Sequence, residues 1–110
     1  MEITSKSYRR VAVVSVSGRI DTSTSPEFET KLQGMIDEGQ KNFVMDFSSV
    51  DFLSSSGLRV LVTTRKKLKD SGGDIVLANP SQRAYDSFEI AGLDKLFTSY
   101  PDRETAIGAF

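Results

Sequence analysis

Apolar positions repeat with two different periods along this chain. In Val11–Ile20, VAVVSVSGRI, the residues Val14, Val16 and Ile20 alternate with Ser15, Ser17 and Arg19. Period two among β-branched residues predicts a strand. Glu2–Tyr8 before it is short and polar around Ile3, which predicts an edge strand. The intervening Tyr8-Arg9-Arg10 predicts an antiparallel hairpin turn. The period then lengthens. Ser25-Pro26 reads as an N-cap hydroxyl with Pro at the first helical position. Phe28, Leu32, Met35 and Ile36 follow on one helical face, and Gly39 is a stop. Phe43–Phe47, FVMDF, is apolar except for Asp46, as in a strand covered on both faces. Leu58–Leu68 predicts a second helix with Leu58, Leu61, Val62 and Leu68 on one face. Its Arg65, Lys66, Lys67 and Lys69 are expected in solvent, and Ser71-Gly72-Gly73 ends it.

Ile75–Ala78 predicts a further buried strand, stopped by Asn79-Pro80. Ser81 caps a third helix with Ala84, Phe88 and Ala91 inward, ending at Gly92. Leu96–Thr98 reads as a last short strand. Pro101-Asp102 opens a final helix carrying Ala106, Ile107 and Phe110. The order ββαβαβαβα defines an α/β fold: a mixed, mostly parallel sheet of four to five strands with helices packed on it. Right-handed crossovers return each strand in the same direction. The chain ends of the strands closing at Ile20 and Phe47 therefore belong at one edge of the sheet, where sites form in such folds.

At 110 residues, one domain over residues 1–110 is expected. With 14 Lys and Arg against 15 Asp and Glu, the chain lacks the basic excess of a nucleic-acid footprint. It has no Cys and no His. Disulfides, zinc sites, Ser-His-Asp triads and Cys nucleophiles are excluded with those side chains. A Mg or Ca site built of carboxylates alone stays open. Met1–Tyr8 has no apolar leader core, and no apolar run approaches the roughly 20 residues of a membrane span. A cytoplasmic, non-enzymatic protein without cofactor and without membrane insertion is the expectation.

Many of the 15 serines gather in two clusters, Thr22–Ser25 and Ser48–Ser56. The topology brings both to one end of the sheet. Asp21, Ser25 and Ser55 could be simple helix caps. One cap needs one hydroxyl, however, and Ser54-Ser55-Ser56 offers three. A phosphate cradle would want the glycines and Lys of a P-loop, and a serine nucleophile would want a His. The remaining reading is a serine that is acted upon, since a helix N-terminus tolerates a phosphate.

Asp46–Leu61, DFSSVDFLSSSGLRVL, resembles the signature of the bacterial anti-sigma factor antagonists, the STAS domain. The usual form ends a strand in D-L/F-S and continues V-x-F/Y-x-D-S-S/T-G-L into a helix. Gly18-Arg19-Ile20-Asp21, Gly72-Gly73-Asp74 before Ile75–Ala78, and Phe88–Phe97, FEIAGLDKLF, are similar to its other landmarks, so the resemblance covers essentially the whole chain. It implies a protein that binds an anti-sigma factor, itself an ATP-dependent serine kinase, and so frees a sigma factor. Phosphorylation by that kinase ends the binding, and a phosphoserine phosphatase resets it. The resemblance puts the phosphorylated residue at Ser55, with Ser54 and Ser56 as alternatives. It puts partner contacts at Asp21, Thr22, Ser54, Ser55, Ser56, Gly57 and Arg59. This sequence departs from the pattern at Ser54, where relatives carry Asp, and at Arg59, where many carry Gly. The same resemblance admits a STAS scaffold in a lipid or anion transport complex, or in a stress-sensing one.

Overall fold

A central pair of parallel strands sets the architecture. In the computed structural model, which describes residues 1–110, β2 (Val11–Ile20) pairs with β3 (Asn42–Leu53) along nearly its whole length. β1 (Glu2–Tyr8) lies antiparallel on its outer side. β4 (Asp74–Ala78) and β5 (Ser99–Tyr100) continue parallel beyond β3. The sheet order is β1-β2-β3-β4-β5. The helices are α1 (Ser25–Asp37), α2 (Ser55–Asp70), α3 (Gln82–Ile90) and α4 (Arg103–Ile107). The order ββαβαβαβα and the mostly parallel sheet are as the sequence predicts.

The core lies on one side of the sheet. Phe28, Leu32 and Met35 of α1, Leu58, Leu61 and Leu68 of α2, and Ala84 and Phe88 of α3 pack against Ala12, Val14, Met45 and Leu77. The other side carries a smaller cluster in which Ala106 of α4 covers Val11, Val13, Val44 and Val76. No helix is long and apolar enough to cross a membrane.

Several boundaries differ from the sequence pattern. β3 does not end at Phe47 but runs on to Leu53, with register shifts against β2 between Ser15 and Ser17 and between Gly18 and Arg19. β4 reaches only as far as Asp46, so the second half of β3 has a partner on one side alone. Its Ser48, Ser49 and Asp51 are therefore exposed and read as loop. The last strand is Ser99–Tyr100, not Leu96–Thr98, because Phe97 turns into the core onto Phe88, with ring centroids 5.4 Å apart. Ala91 is the C-cap of α3 and exposed rather than inward. Phe110 lies beyond α4, 42% exposed. Val62 is exposed, since α2 buries the stripe Gly57, Leu58, Val60, Leu61, Thr64 and Leu68 instead. Arg65 is half-buried rather than solvated.

Asp46 is the one buried carboxylate. It accepts from the Ser48 hydroxyl (2.7 Å) and N–H (3.0 Å), and from Arg103 Nε, which ties α4 to the sheet. Arg103 also donates to Ser15 at 2.6 Å. Burial pushes the Asp46 carboxyl up, but the Ser48 and Arg103 donors outweigh it, so it titrates below its ordinary value of 3.8. A depressed folded-state pKa gives stability that is present above the unfolded value and lost as pH falls through the folded value. In Arg103→Ala, burial is less opposed and the pKa rises. Melting curves followed from neutral pH into acid are expected to show that variant losing stability at higher pH than wild type. Coincident acid limbs would contradict this account.

Candidate functional site

The chain ends of β2 and β3 lie side by side. Ile20 pairs with Leu53, and the Ser54 N–H donates to the Ile20 carbonyl at 2.9 Å. The turn Asp21–Thr24 and the start of α2 therefore meet, as the topology requires. All the residues named from the sequence at this end, Asp21, Thr22, Ser54, Ser55, Ser56, Gly57 and Arg59, lie in these two segments.

The Asp21 turn is locked by its own side chains. Asp21 Oδ1 accepts from the Ser23 hydroxyl (2.7 Å), the Ser23 N–H (3.0 Å) and the Thr24 N–H (3.1 Å). Thr24 Oγ1 accepts from the Asp21 N–H at 2.8 Å. This is an Asx-type turn, in which a short acidic side chain replaces backbone partners. The Ser23 hydroxyl foremost, joined by the backbone N–H groups, holds Asp21 below the ordinary aspartate pKa. Oδ1 is thus committed to the fold, while Oδ2 lies 3.7 Å from Arg19 Nε. Thr22 sits exposed at the tip of the turn.

At α2 the cap is Ser54, not Ser55. Its hydroxyl accepts from the Gly57 N–H at 3.3 Å. Ser56 points inward, 2.7 Å from Ser54 Oγ and 2.9 Å from Ser25 Oγ. Ser25, expected as the cap of α1, is instead its first residue after the N-cap Thr24, and it is buried. Its hydroxyl donates to the Asp21 carbonyl at 2.7 Å. Ser55 differs from both neighbours: it is exposed, and its hydroxyl bonds to nothing else in the chain. The first turn of α2 contains no acidic residue, so the positive end of this 16-residue helix is uncompensated. Arg59 is exposed one turn further on, unpaired, on the same face as Ser55.

Gly57 lets α2 approach the strand ends. A Cβ there would lie 2.7 Å from Ile20 Cγ2 and 2.8 Å from Leu53 Cδ1, both core methyl groups. Gly57→Ala is expected to cost about 1–3 kcal/mol by overpacking. A urea midpoint equal to that of wild type would show that these methyls yield freely.

Two residues beside the site escape the sequence reading. Arg19 and Phe52 are cross-strand partners. The Arg19 guanidinium lies 4.4 Å from the Phe52 ring centroid, with Phe52 still 40% exposed. An exposed aromatic under an arginine is a common composition of interface anchors. The usable signal was Arg19 at an outward position of β2. Its pairing with Phe52 depends on the β2–β3 register, which the sequence does not display. No group of three or more acidic side chains is placed to hold a metal ion.

The STAS domain model matches residues 2–106, and the chain belongs to this family. The anti-sigma-B factor antagonist of Staphylococcus aureus is 32% identical over 83 residues, covering 76% of this chain and 77% of that protein. A crystal structure of an anti-sigma factor antagonist from Mycobacterium paratuberculosis is 36% identical, with TM-score 0.82 over 98% of this chain and 92% of that one. The Bacillus cell fate determinant SpoIIAA shares the fold at 22% identity in two forms. The unphosphorylated form gives TM-score 0.85 over 98% of this chain and 95% of that one. The phosphorylated form gives 0.76 over 98% of each.

Proposed function

We propose that this chain, as one STAS domain over residues 1–110, is a cytoplasmic anti-sigma factor antagonist switched by phosphorylation of Ser55. It binds an anti-sigma factor that is also a serine kinase, and the sigma factor is released. The kinase brings ATP. Ser55 Oγ attacks the γ-phosphorus, the new O–P bond forms, and the bond from that phosphorus to ADP breaks. The hydroxyl proton leaves to a base of the kinase, since Ser54 offers no carboxylate to receive it. The protein is the substrate here and not the enzyme. A phosphoserine phosphatase restores it.

The observation that carries this reading is the division of labour among the three serines. Ser54 and Ser56 are engaged within the fold, and Ser55 alone presents a free, exposed hydroxyl at an uncompensated helix N-terminus. Relatives named as anti-sigma factor antagonists, and SpoIIAA solved in a phosphorylated form, support it. The contact surface we assign to the partner is Asp21, Thr22, Ser55 and Arg59, extended by Arg19 and Phe52, with Ser54, Ser56 and Gly57 fixing its geometry. Incubation with the organism's anti-sigma factor kinase and ATP is expected to place one phosphate on Ser55, located by peptide mass spectrometry. Stoichiometric phosphate on Ser54, Ser56 or elsewhere refutes the assignment.

A further inference from the structure

Counting protons in the site gives its hydroxyl network a direction. A serine hydroxyl has one proton to donate. That of Ser25 goes to the Asp21 carbonyl, which can only accept (2.7 Å). The 2.9 Å contact between Ser25 and Ser56 must therefore be donated by Ser56. The proton of Ser56 is then committed, so the 2.7 Å contact with Ser54 is donated by Ser54. Ser54 in turn accepts from the Gly57 N–H at 3.3 Å. One chain results: Gly57 N–H to Ser54 to Ser56 to Ser25 to the Asp21 carbonyl. Each hydroxyl gives one bond and receives one, and each link polarises the next. The chain joins the start of α2 to the Asp21 turn across 31 residues of sequence.

We infer that Ser25 is a positioning residue for the Ser55 hydroxyl. This rests on the reading of Ser55 as the phosphate acceptor. Both neighbours of Ser55 are links in the chain, and Ser25 is its anchor on the other loop. The chain also gives Ser54 a purpose. An aspartate at 54 could accept from Gly57 and from Ser56 but could donate to neither. The proton of Ser56 would turn to the carboxylate. Ser25 would then have one proton for two acceptors, and either its 2.9 Å contact with Ser56 or its 2.7 Å contact with the Asp21 carbonyl would lack one. A serine at 54 and a hydroxyl at 25 therefore belong together.

The test uses the intact protein, the organism's anti-sigma factor kinase and ATP, at a temperature where circular dichroism shows each variant folded. In transfer from the γ-phosphate to Ser55 Oγ with release of ADP, Ser25→Ala is expected to lower kcat by roughly 10- to 100-fold. That is the scale on which misplacing a reacting atom acts. KM is expected to change much less than kcat, because every side chain assigned to touch the partner is retained. Ser25→Thr, which keeps the hydroxyl, is expected to recover most of the rate. Ser56→Ala cuts the chain one link away and is expected to reproduce the loss. A wild-type kcat in Ser25→Ala or Ser56→Ala overturns the proposal while leaving Ser55 as acceptor. Wild-type protein that takes no phosphate on Ser55 overturns the functional reading, and this proposal with it. Thermal melting decides the chain itself without a kinase. The losses in Tm of Ser25→Ala and Ser54→Asp are expected to be smaller together than their sum, because removing the Ser25 oxygen relieves the contact that Asp creates. Strictly additive losses contradict the proton assignment.

Discussion

Ser55→Asp is expected to lose roughly 30-fold to several thousand-fold in affinity for the anti-sigma factor while melting within a few degrees of wild type. Two effects of the added charge compete, and their magnitudes decide between them. Within the fold, a negative charge at the first residue of α2 meets an uncompensated helix N-terminus, worth about 0.3–1 kcal/mol in its favour. Arg59 follows four residues later, an arrangement worth about 0.2–0.5 kcal/mol more. Asp21 opposes, but its Oδ1 is held by Ser23 and Thr24, and its Oδ2 has Arg19 beside it. The net effect on stability is therefore small, and unfolding has the wrong sign to act as the switch. At an interface, a charge buried without a partner costs about 2–5 kcal/mol, and each 1.4 kcal/mol is about tenfold in Kd. A phosphate carries about −1.5 to −2 charges and acts in the same sense more strongly. Ser55→Ala is expected to keep its affinity and to stay bound when ATP is added. Titration calorimetry with the purified anti-sigma factor, beside a melting curve, checks both halves. Wild-type affinity in Ser55→Asp, or a protein largely unfolded, would exclude release by local charge.

Local signals carried the element order, and non-local contacts carried what they missed. Ser81 and Asp102 cap α3 and α4 as ordinary sequence caps, accepting from Ala84 and Thr105. Phe28, Leu32 and Met35 bury the face their spacing defines. The second half of β3 was not legible, because a strand with one neighbour exposes polar residues and loses the apolar run that marks Phe43–Phe47. Ser25 had the composition of a cap, yet its hydroxyl pairs with a residue in the next crossover. At the site, the family-like run Ser54–Leu58 was visible, but which serine stands free was not. That depends on Ser25 drawing Ser56 inward. Arg19 on Phe52 escaped for the same reason, since it exists only in the parallel register of β2 and β3.

Gly73→Ala is expected to lower the melting temperature by more than about 10 °C without touching the site. At the end of α2 two glycines stand together for different reasons. Gly72 has φ +84° and open space around it, so a side chain there meets only backbone strain of about 1–2 kcal/mol. A Cβ on Gly73 would lie 1.8 Å from the Lys41 carbonyl oxygen and 2.7 Å from its carbon. Those atoms are backbone and have no rotamer through which to escape. Nor is either side free to retreat. The Gly73 N–H donates to the Leu68 carbonyl at 2.7 Å, the Asp74 N–H donates to the Lys41 carbonyl at 3.1 Å, and Asn42 opens the pairing of β3 with β4 opposite Asp74. Relief must therefore part the first turn of that ladder from the last turn of α2. Overpacking costs about 1–3 kcal/mol where side chains can adjust, and more where they cannot. About 3 kcal/mol, at roughly 4–8 °C per kcal/mol for a domain near this size, gives the expected shift. This junction lies where β3 and β4 begin, and Ser55 follows the end of β3, so the two lie at opposite ends of the parallel strands. Well below its melting point, Gly73→Ala is expected to bind the anti-sigma factor and to accept phosphate as wild type does. A melting temperature within a few degrees of wild type, or a smaller loss than in Gly72→Ala, would show that the Lys41 carbonyl is not the fixed wall described.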